Sequence, residues 1–137
     1  MDASVLLRVA LGQPNSLKEW RHIERGVSSA LVTTESLRAL DRLRLRSGLA
    51  DSHVAERRST IMSLISSLEI VGVDATVLDR AAQPMPTELG TLDAIHLATA
   101  LLWRDMAQSD LVIATHDVAL GLGAKAHGFA VVGVGSN

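Results

Sequence analysis

Gly90-Thr91-Leu92-Asp93-Ala94-Ile95-His96-Leu97-Ala98-Thr99-Ala100 is the stretch around which the rest of the chain is organised. From Leu92 to Trp103 its residues are apolar on nearly every side of a helix, which is the pattern of a buried helix. Asp93 interrupts that pattern in the first turn. The positive end of the helix dipole favours an acid there by about 0.3–1 kcal/mol, too little to offset burying a charge. Asp93 therefore calls for a cation, and the spacing of other acids along the chain points to a shared metal ion.

The chain has 137 residues, 47% of them hydrophobic, with a net charge of −2. That is one domain of ordinary size, long enough to bury a real core, and too apolar for a disordered tail. Trp20, Trp103 and Phe129 are the only aromatic residues, so the core is aliphatic and base-stacking platforms are not expected. Cysteine is absent, which removes disulfides, thiolate nucleophiles and zinc ribbons and suits a reducing cytoplasm. Eleven of the thirteen basic residues are arginine, a bias toward bidentate contacts with phosphate or carboxylate. No run of eighteen apolar residues occurs and no signal-peptide pattern opens the chain, so membrane spanning is not expected and a cytoplasmic location is.

Outward from the central helix, strands alternate with helices. A short apolar helix is expected over 4–11, broken at Gly12-Gln13-Pro14-Asn15. Asn15 or Ser16 caps a second helix to about Arg25. A strand is expected over 27–32, then a helix capped by Thr33 or Thr34, running to Arg46 and closed by Ser47-Gly48. Asp51 or Ser52 opens a further helix through Ser66, with Ile61, Leu64, Ile65 and Leu68 at core spacing. A strand over 68–73 leads to a short helix begun by Asp74, and a proline loop runs over 83–86. Past the central helix come an apolar strand over 111–114, a helix from Asp117 to His127 and a last strand over 130–134. This alternation predicts an α/β domain, a parallel sheet of four to five strands flanked by helices.

Asp2, Glu35 and Asp117 each fall at the end of a strand or the start of the following helix, the edge at which open α/β sheets bind ligands. Asp93 completes the group. Four carboxylates gathered in one place repel one another unless a cation intervenes or some are protonated. Mg²⁺ or Mn²⁺ suits such a hard oxygen donor set.

Taken together, Asp2-Ala3-Ser4, Glu35 after a strand, Leu92-Asp93-Ala94-Ile95-His96-Leu97-Ala98-Thr99-Ala100 and Ala114-Thr115-His116-Asp117 resemble the PIN-domain nucleases, and within them the VapC toxins of toxin–antitoxin pairs. The resemblance covers almost the whole chain in order. It implies a Mg²⁺- or Mn²⁺-dependent endoribonuclease with Asp2, Glu35, Asp93 and Asp117 as the acidic site and Ser4 and Thr115 as polar supports. It also implies a homodimer and a small VapB-like antitoxin that blocks the site. Family members carry the first aspartate at the end of an apolar strand, whereas only Met1 precedes Asp2 here. The first, central strand is thus expected to be truncated, with residues missing or Asp2 on a frayed terminus.

Arg38, Arg42 and Arg46 lie 3, 7 and 11 residues after Glu35, on one face of a helix. They read either as a solvated face pairing with Glu35 and Asp41, or as a phosphate track or partner surface beside the acids. Asp117 reads either as a metal ligand, as an orienting group, or as a plain helix cap. His96 reads as a packing residue, and His116 could face the site. No Ser–His–Asp set marks Ser4 as a nucleophile. The competing functional readings are a catalytically weakened PIN-like interaction module and a metal-dependent phosphohydrolase.

Overall fold

Three of the helices begin on an aspartate whose side chain accepts a hydrogen bond from a first-turn N–H. Asp2 caps α1 (Ala3–Ala10), Asp74 caps α4 (Ala75–Ala81) and Asp117 caps α6 (Val118–Ala126). Between them the computed structural model, which describes residues 1–135, places α2 (Leu31–Ser47), α3 (Asp51–Ser66) and α5 (Thr91–Ala107). Gly48, at φ +59°, ends α2 in the left-handed conformation that glycine adopts without strain. Four strands, β1 (Val27–Ser29), β2 (Glu69–Val71), β3 (Val112–Ala114) and β4 (Ala130–Val132), complete the α/β order.

The sheet differs from the expected continuous one. β1 pairs with β2 and β3 with β4, both parallel, and the two pairs are not joined to each other. Met1 and Asp2 occupy the seam between them. The Met1 amine donates to the Val27 carbonyl at 3.0 Å and the Asp2 N–H to the Ala114 carbonyl at 3.3 Å, while Ser28 Oγ donates to the Met1 carbonyl at 2.7 Å. Two residues make the contacts of a strand end without its length, so β1 and β3 keep facing edges unpaired. An apolar cavity of about 430 Å³ opens at that seam, with Met1, Leu17, Val27, Leu97, Trp103 and Ile113 among its walls. Asp2 is not frayed: it is buried and held from both sides.

Two local expectations also change. The second helix is a 3₁₀ turn over Lys18–His22 without a side-chain cap, because neither Asn15 nor Ser16 reaches its first N–H groups. β1 ends at Ser29 and α2 begins at Leu31, two residues before Thr33. The Ser29 hydroxyl accepts the Leu31 N–H at 3.3 Å. No helix among the described residues is long and apolar enough to cross a membrane.

α5 is apolar all round because it has a core on each side. Leu97 and Leu101 pack with Ile113, Leu120, Ala124 and Phe129. Ile95 and Ala98 pack on Val77 of α4. Ala3, Leu6, Val32, Leu40, Ile61 and Ile65 form a separate cluster among α1, α2 and α3. Burial of α5 begins at Ala94, two residues later than expected, and Leu92 is 48% exposed on the rim of a second pocket.

Candidate active site

That second pocket, about 430 Å³, is lined by Asp2, Glu35, Asp93 and Asp117, with Arg38 and Arg42 at its edge. Each acid arrives by its own route. Asp2 comes from the seam, where Oδ1 accepts Ser4 Oγ at 2.7 Å and the Val5 N–H at 3.4 Å, and Oδ2 accepts Thr115 Oγ1 at 2.9 Å. Thr115, fully buried just past β3, accepts the Asp117 N–H at 2.9 Å and so ties Asp2 to Asp117. Ser4 Oγ accepts the His116 N–H at 2.9 Å and closes the same small network. Asp117 also caps α6 through the Leu120 N–H at 2.9 Å.

Asp93 is different. It is half-buried in the first turn of α5 and accepts no hydrogen bond among the described residues. Burial pushes its carboxyl above the usual carboxylate range, and the charges of Asp117, Asp2 and Glu35 push the same way against the opposing influence of His96. A carboxyl raised by burial and by neighbouring acids marks a place that a cation would relieve. Hard oxygen donors are the right kind for Mg²⁺ or Mn²⁺. As the side chains stand, no three acid or imidazole groups among the described residues are drawn close enough together to hold an ion. Asp2, Glu35 and Asp117 are each engaged by protein donors, which spaces them around the pocket rather than at a point. The donor set fits the ion in chemistry, though not in its present placement.

A family model of the PIN domain matches residues 1–120. This chain belongs to the PIN-domain family. It is also similar to Ribonuclease VapC46 of Mycobacterium tuberculosis, with 36% identity over 136 residues, 96% of this chain and 94% of that protein. The VapC type of PIN domain is thereby supported along nearly the whole length.

In this PIN domain the arginine stripe divides. Arg38 and Arg42 line the acid pocket, whereas Arg46 lies exposed in the last turn of α2 and does not. Asp41 pairs with Arg38 at 2.9 Å and with Arg44 at 3.1 Å. Both pairs are solvent-exposed enough to add little stability. The Glu35 carboxylate pairs with no arginine. Its partner is His96, whose Nε2 lies 2.6 Å from Oε2.

His96 is buried as a packing residue should be, yet its ring also enters the site, which the packing reading does not cover. On its other side Nδ1 lies 3.0 Å from Ser29 Oγ. Ser29 drew no notice in the sequence. The available signal was the offset of His96 from Asp93, three residues, which places both on one face of α5. His116 turns away: its Nδ1 lies 2.7 Å from the Gly133 carbonyl.

Proposed function

We propose that this PIN domain is a Mg²⁺- or Mn²⁺-dependent endoribonuclease, the toxin of a type II toxin–antitoxin pair, acting in the cytoplasm. The observation that carries the proposal is the gathering of four acids around one pocket, where burial and then the other acids raise the Asp93 carboxyl. Similarity to a protein named a ribonuclease supports the same reading.

Asp2, Asp93 and Glu35 are assigned to hold the metal, and Asp117 to hold it directly or to orient what binds there. A divalent ion in such a site supplies Lewis-acid stabilisation of charge on a phosphodiester and lowers the pKa of water beside it. The protein's own part is positioning. Thr115 and Ser4 fix both oxygens of Asp2, so that carboxylate reaches the pocket without searching rotamers. Asp93, free of hydrogen bonds, can turn inward. Arg38 and Arg42 offer fork-shaped donors to RNA phosphates at the pocket edge. Arg46, one turn further along, is placed to extend that contact only to a longer RNA or to a protein partner. A VapB-like antitoxin covering this edge would block it, and homodimerisation belongs to the same proposal.

The test is incubation with total RNA, with and without Mg²⁺ and with chelator, followed by sequencing of the cut ends. Cleavage that needs the metal and vanishes in Asp93→Asn supports the proposal; cleavage that survives chelation refutes it. The engagement of three of the acids by protein donors favours one rival, a PIN-like interaction module with weakened chemistry. Mn²⁺ calorimetry separates the two, since such a module need not bind the ion.

A further inference from the structure

A four-acid site does not by itself need Ser29 or His96, yet the two form an unbroken hydrogen-bonded series with Glu35. The Leu31 N–H donates to Ser29 Oγ at 3.3 Å, Ser29 Oγ meets His96 Nδ1 at 3.0 Å, and His96 Nε2 meets Glu35 Oε2 at 2.6 Å. A carboxylate oxygen accepts, so the hydrogen between Glu35 and the ring lies on Nε2. Nδ1 and the Ser29 hydroxyl share the second hydrogen bond, whichever of them donates, and Ser29 Oγ also takes the Leu31 N–H. Each group has one partner on each side.

The series begins at the first residue of α2 and ends at Glu35, one turn further along the same helix, having passed through α5. It therefore fixes Glu35 relative to α5, the helix that presents Asp93 three residues before His96. We infer that Ser29 and His96 are positioning residues, which hold the Glu35 carboxylate at a set distance from Asp93 so that the two act together on one metal. The inference rests on the metal-site reading above. It differs from the serine-triad alternative that the same residue types suggest. Ser29 is 2% exposed and does not line the acid pocket, so its hydroxyl has no approach to a substrate there.

The experiment measures Mn²⁺ affinity by calorimetry for the parent protein, His96→Gln, His96→Asn and Ser29→Ala, each with its melting temperature in chelator. Glutamine places an amide donor near the Nε2 position; asparagine is too short to reach Glu35 and can replace only the Nδ1 side. His96→Asn should weaken Mn²⁺ binding about 10- to 100-fold, the usual cost of losing a group that orients a metal ligand. His96→Gln should recover most of that loss, and Ser29→Ala should fall between. Space-filling alone predicts no such order, because both amides leave a similar gap. Equal Mn²⁺ affinity in the Gln and Asn variants, or losses that simply follow the melting temperatures in chelator, would overturn the positioning role. A parent protein that binds no Mn²⁺ would overturn the metal site itself and this inference with it, an outcome distinct from a parent that binds while its variants bind equally well.

Discussion

Replacing Asp93 by asparagine should make the protein more stable and less able to bind metal. Unit charges about 8 Å apart repel by about 0.5 kcal/mol in a water-like medium and about 2 kcal/mol at an effective dielectric of 20. Asp93 has three such neighbours in Asp117, Asp2 and Glu35. Discounting for salt and for its partial exposure, removal of its charge should relieve about 1–3 kcal/mol. In a chain of this size that is a rise in melting temperature of roughly 3–10 °C in chelator. The parent should gain about 2.7 kcal/mol from Mn²⁺ at a hundred times its dissociation constant, and the variant almost nothing. The pH dependence has a fixed sign. Because the folded Asp93 carboxyl titrates above its ordinary value of 3.8, the native chain retains a proton that the unfolded chain releases in that window. Stability from this group is therefore present at low pH and lost as pH rises through the folded pKa, in the parent but not in Asp93→Asn. Thermal scans from pH 3 to 7, with chelator and with Mn²⁺, read all three effects. A variant that melts lower than the parent in chelator, or that is stabilised equally by Mn²⁺, would refute the account of a repelling acid cluster relieved by a cation.

Replacing Arg38 and Arg42 with glutamine should weaken RNA binding and reduce the slope of log affinity against log salt by about 0.7 for each lost phosphate contact, while Arg46→Gln changes short-RNA binding little; a salt titration by fluorescence anisotropy measures this. Ser36 is fully buried and its hydroxyl has no hydrogen-bond partner among the described residues, so Ser36→Ala should be neutral or stabilising by about 1–2 kcal/mol in urea unfolding. Gly133 sits at φ +95°, and a methyl group added there would collide with the Thr115 carbonyl. Gly133→Ala should cost about 2–4 kcal/mol and, by shifting Thr115 from Asp2, should weaken Mn²⁺ binding beyond what Ser36→Ala does.

The parts of the fold that local chemistry decides were readable in advance. α4 behind its Asp74 cap and the glycine stop of α2 follow from local signals, and α3 from Asp51 to Ser66 follows from periodicity, although its N-cap is Ala50 and neither Asp51 nor Ser52 caps it. The strands were overestimated, because a strand's length depends on the partner beside it, which local sequence does not show: each pairs over three residues. The start of α2 was misplaced because the helix begins at Leu31 with no side-chain cap, directly after β1 ends at Ser29, rather than behind Thr33 or Thr34. Of the candidate site, the order of acids at strand and helix ends was legible from topology. That Thr115 holds Asp2, that His96 reaches Glu35 and that Ser29 meets His96 was not: those pairings span 113, 61 and 67 residues and only packing brings them together, whereas the cap that holds Asp117 is local.

The placement of the pocket ties metal binding to the integrity of the whole sheet. Glu35 belongs to the half built on β1 and β2, through α2; Asp117 belongs to the half built on β3 and β4, through α6. Asp2 stands between them, its N–H bonded to Ala114, its carboxylate to Thr115, and the preceding residue bonded to Val27 and Ser28. Mutual repulsion of the acids therefore acts to part the halves, and a cation bound to acids from both would pull the other way. α5 is the rigid reference for both, since it packs on Ile113 and Leu120 of one half and Val77 of the other and carries Asp93 and His96 into the gap. Metal affinity and the stiffness of the seam should consequently rise and fall together, so a change that closes the seam far from any acid is felt at the site as tighter binding.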